Sequence, residues 1–268
     1  MQIRLLPWWL ALSLLPTAAG TAVKQARRSQ SLILTCEMDW SSPTLAPIKT
    51  RVAPALTRLL AERVRTDCWD ECGLSVARHL VDLGGEAAPA LVDMLALPPD
   101  EDCGLAVWAL SGIGEEAVEP LMSLVVSADR PSISRRTAGA ALMRIAEQQR
   151  WKNLKPIPAP ASLPKAVEML HSSDKHVREA GASTLIAFSR TEVVLDRLKA
   201  EIDGTAKPAT ACCDAALIRP LTNLCRELAP PDILGQARQL LGRVSTVPKI
   251  SESGRAAAKE FGELCSVR

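Results

Sequence analysis

Tyrosine is absent from this chain and phenylalanine occurs only at 188 and 261, so aromatic residues make up 3% of its 268 positions. A sheet-rich core draws on aromatic and β-branched side chains; their shortage, beside abundant Ala and Leu, points to helices packed through small residues. Histidine is almost as scarce: His79, His171 and His176 fall on a first helix, at a helix end and at the next helix start. There they serve to cap or pack. The chain has no His-Glu-x-x-His, no Gly-x-Ser-x-Gly, no phosphate-cradling glycine loop and no Asp-x-Asp-x-Asp-Gly loop. The usual zinc-protease, serine-hydrolase, nucleotide and calcium designs are therefore missing, and neither a catalytic residue nor a cofactor is expected.

Positive charge is missing from one region. Between Thr66 and Asp129 thirteen acidic residues stand against a single basic one, Arg78, whereas the chain as a whole carries a net charge of only +2. Both flanks are basic, with twenty-two basic against fourteen acidic residues from Arg130 onward and eight against three over positions 23–65. Some of the acids, such as Asp100, Glu101, Asp102, Glu115 and Glu116, sit at helix starts, where they complement the helix dipole. That role does not explain why two whole units lack lysine. The basic C-terminal part has its Arg and Lys interleaved with acids and lacks an aromatic platform for bases, so nucleic acid is not an expected partner.

Long apolar runs are also few. Residues 1–22 carry Arg4, an apolar stretch from Leu5 to Leu15 and small residues around Thr17, Ala18, Ala19 and Gly20, the pattern of a cleaved signal peptide. The stretch falls short of the roughly 20 residues that span a bilayer, and no second one follows. The expectation is export to the periplasm or cell exterior, with no stable membrane insertion.

Eight cysteines, at 36, 68, 72, 103, 212, 213, 225 and 265, form an even set that suits disulfides in an exported chain. Repeat alignment places Cys72 and Cys103 near the starts of consecutive helices and favours that pair. Cys212 and Cys213 are adjacent and do not easily bond each other; Cys225 and Cys265 are their nearest candidate partners, leaving Cys36 and Cys68. A metal reading has one constellation to offer, Cys68 and Cys72 with Cys103 and His79. An oxidising compartment favours disulfides over it, and no metal is expected.

The organisation lies in a repeat. Leu80, Gly84, Glu86, Ala87 and Leu91 recur as Leu110, Gly114, Glu116, Ala117 and Leu121. Leu74, Ala77, Leu80 and Val81 form one helical stripe, Gly84-Gly85 stops it, and Ala87, Leu91, Met94 and Leu95 form the next before Pro98-Pro99. A second hairpin runs through Leu105, Trp108, Leu110 and Ile113 to Val118, Leu121, Leu124 and Val125. A third starts after Pro131, where Arg135 stands seven residues before Leu142, and a fourth places Arg178 seven before Leu185. The Pro-rich stretch from Lys155 to Pro160 splits the third hairpin and reads as an extended loop. Periods of this size mean hairpins stacked in a solenoid. The expected layout is residues 1–22 as leader, 23–66 as an N-terminal cap with a helix over 52–65, 67–203 as repeats and 204–268 as a helical C-terminal cap.

The stretches Val177-Arg178-Glu179-Ala180-Gly181-Ala182-Ser183-Thr184-Leu185 and Gly114-Glu115-Glu116-Ala117-Val118-Glu119-Pro120-Leu121 resemble the two helices of HEAT repeats, most nearly the short HEAT-like repeats of phycobilin lyases. The resemblance covers roughly residues 70–203 and implies an all-α superhelix of the armadillo type. It also implies that an Arg of the first helix pairs with an Asp just before it, a role Asp174 and Arg178 match. Gly73 and Cys103 occupy the Arg positions of units one and two, so a disulfide takes the place of the tie there. Phycobilin lyases handle chromophores in the cytosol, which does not suit an exported chain.

A HEAT-like array implies a surface rather than chemistry. The leading expectation is a non-catalytic scaffold or adaptor that offers Asp70, Glu71, Asp100, Glu101, Asp102, Glu115 and Glu116 to a basic protein partner. Trp108 either anchors that partner or fills space between hairpins. The alternatives are an enzyme or metal protein built around Cys68, Cys72 and Cys103, and a structural envelope component.

Overall fold

Alternation governs the architecture. The computed structural model describes residues 71–95, 104–152, 154–206, 215–226, 230–244, 246–247 and 250–266, all within one compact unit. The leader, the N-terminal cap and the helix expected over 52–65 lie outside the described residues. Those described form eleven α-helices and no strand: α1 (Glu71–Leu83), α2 (Ala88–Leu95), α3 (Gly104–Ile113), α4 (Val118–Val126), α5 (Ser132–Trp151), α6 (Leu163–Met169), α7 (Lys175–Ala187), α8 (Thr191–Ile202), α9 (Ala215–Arg226), α10 (Pro231–Val244) and α11 (Glu252–Ser266). Each odd helix packs on the next odd helix, from α1 through to α11. The even helices form a second layer, in which α2 packs on α4, α4 on α6, and α8 on α10. This is an all-α solenoid of stacked helical hairpins.

The repeated apolar positions are the ones that vanish from solvent. Leu80, Leu91, Leu105, Leu110, Leu121 and Leu142 are fully buried, as are Met122, Ile145 and Leu170. Each contributes about 1.5–3 kcal/mol by leaving water. Small residues let the odd helices approach closely. A methyl group added at Gly139 of α5 would lie 2.9 Å from the Ala180 carbonyl oxygen of α7, and one at Gly181 would lie 2.7 Å from the Ala166 oxygen of α6. The alanine-rich composition thus becomes close packing on both sides of α7, whose residues from Ala180 to Ala187 are all buried.

One backbone position makes each hairpin turn. Gly84 and Gly114, four residues after the repeat leucines, have φ of +64° and +80°, the left-handed conformation that ends a helix without side-chain clash. A short 3₁₀ turn follows each, Gly84–Glu86 and Gly114–Ala117, so Glu86 belongs to the turn and α2 opens at Ala88. Unit four places Ser189 at the same spot with φ of +58°. Unit three places Ala146 there, buried and helical, and α5 runs on to Trp151. The long loop that follows is a consequence of this missing stop, and its residues from Leu154 to Pro160 have no regular secondary structure.

The C-terminal segment covers the end of the stack by extending it. Helices α9 and α10 form a further hairpin on α7 and α8, and α11 packs on both α9 and α10. Phe261 of α11 is buried at 1% exposure, and its carbonyl oxygen lies against the Cys225 sulfur of α9. The pairing expected for Cys225 and Cys265 is corrected here: they bridge one another across 40 residues, with Cα atoms 5.0 Å apart. Both stand in the last turn of adjacent odd helices, so the stacking itself brings them together. Cys36, Cys68, Cys103, Cys212 and Cys213 lie outside the described residues, as does the side chain of Cys72.

Candidate functional site

The acidic units meet at the turns. Asp82 ends α1, Glu86 lies in the first 3₁₀ turn, and Glu115 and Glu116 lie in the second; all four are exposed. The two turns pack against one another. Their contact is made partly by Glu116, whose Oε2 accepts a hydrogen bond from the Gly85 backbone N–H of the preceding unit. A methyl group at Gly84 or Gly85 would lie 2.8 or 2.9 Å from that oxygen, so the glycines also make room for the carboxylate. Glu116 therefore ties two units together, and Glu115 beside it is left to face solvent. Asp93 of α2 and Glu119 of α4 add two exposed carboxylates on the even layer. Among the described residues none of Asp82, Glu86, Asp93, Glu115 and Glu119 enters an ion pair, and Arg78 is the lone Lys or Arg of the described parts of units one and two.

Of the other residues nominated from sequence, Trp108 is half-buried on α3, and its carbonyl accepts a hydrogen bond from the Ser111 hydroxyl at 2.8 Å. The equivalent positions Arg78 and Ala140 are exposed and Ser183 is buried, so Trp108 stands on a row that faces outward in the first three units. Glu71 opens α1, with its side chain undescribed. Asp70, Asp100, Glu101 and Asp102 lie outside the described residues. Asp82 and Glu86, outside the acidic set expected from sequence, gain their exposure from the turn.

Arginine works differently in units three and four. Arg135 Nε donates to the Val125 carbonyl at 2.7 Å, and Arg178 Nη1 donates to the Ser172 and Ser173 carbonyls at 2.7 and 2.9 Å. In both cases the repeat arginine caps the end of the preceding even-layer segment, where helix carbonyls lack partners. Burial lowers the pKa of each guanidinium, and nearby carboxylates, Asp174 for Arg135 and chiefly Glu201 for Arg178, work against that shift. Asp174 caps α7 by accepting from the His176 N–H at 2.8 Å. Burial opposes its ionisation, but hydrogen bonds from the Ser132 side chain and from the His176 and Val177 N–H groups outweigh this and hold its pKa below the usual carboxylate value. The Asp-to-Arg tie expected within one unit is replaced by separate bonds: Asp174 caps α7 and bonds Ser132 of the unit before, while Arg178 binds the Ser172 and Ser173 carbonyls.

Behind Arg178 the charges go fully inside. Arg197 and Glu201 of α8 form an ion pair at 3.3 Å with side chains 5% and 2% exposed, and Arg197 Nη1 lies 3.0 Å from His171 Nδ1. Glu179 of α7 has its carboxyl pushed above its usual pKa by burial despite the cations Arg136, Arg219, His176 and Lys175. Among the described residues no three His, Cys, Asp or Glu side chains gather as a metal site.

A second surface escaped the sequence reading. Trp151 and Leu154 are the large hydrophobic residues standing exposed among the described ones, at 72% and 52%. Lys152, Lys155, Pro156 and Pro158 around them are exposed as well. The sequence signal for the exposure of Trp151 is Ala146 at the turn position, where units one and two have glycine.

No described helix is long and apolar enough to cross a membrane. No family model matches the chain, and no curated protein matches it. Among solved structures, a designed armadillo repeat protein is similar over 78% of this chain and 99% of its own, at 16% sequence identity and a TM-score of 0.33. The solenoid assignment rests on the helix order and the two-layer packing.

Proposed function

We propose that this chain is a non-catalytic protein-binding scaffold of short HEAT-like repeats, exported by its leader, which offers the acidic turn edge of its first two units to a basic protein surface. The carrying observation is the set of exposed carboxylates at Asp82, Glu86 and Glu115 that no described cation neutralises. A folded chain normally intersperses both signs on its surface; two stacked turns of one sign make a local negative field that draws and orients a cationic segment. The stack supports this, because neighbouring units hold the carboxylates at a defined spacing, which lowers the entropic cost of binding.

The test is binding of a fluorescent oligolysine peptide to the full chain, followed by anisotropy over a salt series. Affinity should fall steeply with salt, and Glu86→Gln with Glu115→Gln should weaken it about tenfold at low salt. Binding indifferent to both salt and these substitutions would remove the acidic edge as the docking surface. Export is tested separately, by finding the chain outside the cytoplasm with residues 1–22 removed.

A further inference from the structure

The insert of unit three and the acidic turns occupy the same edge of the solenoid. The C-terminal end of α5 packs beside the second turn: Gln148 Nε2 donates to the Ser111 hydroxyl at 3.3 Å, and Gln149 Nε2 lies 3.5 Å from where a methyl group on Gly114 would sit. From Ala146, α5 continues five residues further, which carries Trp151 about 7 Å past the level at which a turn would start. Along this edge the order is acid, acid, then a protruding apolar and cationic knob.

An exposed Trp beside an exposed Leu is the composition of a buried interface centre rather than of a solvated loop. The cations Lys152 and Lys155 flank it, and among the described residues neither is ion-paired. Pro156, Pro158 and Pro160 restrict the segment that follows, which lowers the entropy lost when it is held by a partner. A carboxylate-rich surface is what the two lysines call for, and this chain displays one on the two units before the insert. Rotating a second copy by 180° about an axis perpendicular to the edge reverses the order, so that each knob meets the other copy's acids. An edge with opposite charges at its two ends is self-complementary under such an axis.

We propose that the basic surface recognised by the acidic edge is the Trp151 to Lys155 insert of a second copy, giving a two-fold symmetric dimer. This inference rests on the reading of the acidic edge as a docking surface. Trp151 and Leu154 form the buried centre of the contact. Lys152 and Lys155 pair with Glu86 and Glu115 at its rim and set the register.

Light scattering and sedimentation of the full chain test it. The wild-type chain should dimerise at low salt and dissociate as salt rises. Trp151→Ser with Leu154→Ser should raise the dimer dissociation constant about thirtyfold or more. Lys152→Glu with Lys155→Glu, and separately Glu86→Lys with Glu115→Lys, should each leave monomers, since both place like charges across both contacts. An equimolar mixture of these two variants should recover a dimer, because reversal on both sides restores attraction and shows that each variant is folded. A wild-type chain that stays monomeric at low salt, a dimer that survives the Trp151 and Leu154 substitutions, or a mixture that fails to associate overturns the proposal. If the chain is monomeric but its binding of the oligolysine peptide is abolished by Glu86→Lys with Glu115→Lys, the dimer falls and the acidic edge stands; if a monomeric chain does not bind the peptide at all, both fall.

Discussion

Units one and two and units three and four share a fold and use charge in opposite ways. In the first pair the described carboxylates are on the surface, and cohesion comes from leucine burial, glycine turns and the single Glu116 contact to the Gly85 backbone. In the second pair arginines reach across unit boundaries to helix-end carbonyls, and an ion pair sits almost wholly inside. A stacked repeat needs some polar fastening of each unit to the next. Where Arg does that work the surface charge is mixed, and where Gly73 and Cys103 replace it the acids stay unneutralised and available.

Substitutions sharpen this contrast, and the largest effect belongs to the second pair. Glu201→Ala leaves Arg197 buried beside Arg178 without its carboxylate, and chemical denaturation should show a loss of about 3–5 kcal/mol. Arg135→Met keeps the aliphatic stem but abandons the Val125 carbonyl, and should cost about 1–2 kcal/mol. In the first pair Glu116→Ala removes one exposed hydrogen bond and should cost no more than about 1 kcal/mol, with hydrogen exchange rising at the Gly85 amide. Equal losses for Glu201→Ala and Glu116→Ala would erase the distinction between the two pairs.

The smallest effect has the opposite sign. Burial raises the folded pKa of Glu179 above its unfolded value, so protonation favours the folded state, and its contribution is present below the unfolded carboxylate value and lost as pH rises through the folded one. Glu179→Gln should therefore raise the melting temperature slightly at neutral pH and leave it unchanged near pH 4. Asp174 runs the other way. Its folded pKa is lowered, so its stabilisation is present above the unfolded carboxylate value and is lost as pH falls through the folded one.

Much of the repeat was legible because it depends on local rules. The leucines at 80, 110 and 142 are buried as their spacing requires, Gly84 and Gly114 adopt the conformation for which glycine is suited, and Arg135 and Arg178, aligned by their distance from those leucines, make equivalent bonds. The candidate surface was only half visible. Glu115 was found through the acid count, but Glu116 was counted with it although its partner is a backbone N–H 31 residues away. For Trp151 the mark was indirect, the alanine at 146 where a turn glycine would have ended the helix. The bridge between Cys225 and Cys265 was obscured by the nearer Cys212 and Cys213, since proximity along the chain says little about proximity across a helix layer.

Amino-acid order alone set the helical character, the hairpin period, the turn positions and the lopsided charge, because each follows from side-chain volume, backbone preference or composition within about one repeat. Which carboxylates face water, which arginines reach back to the unit before, and how Trp151 comes to stand clear of the edge were settled by the stacking. Those outcomes depend on which surfaces neighbouring units cover, and coverage is a property of the whole array.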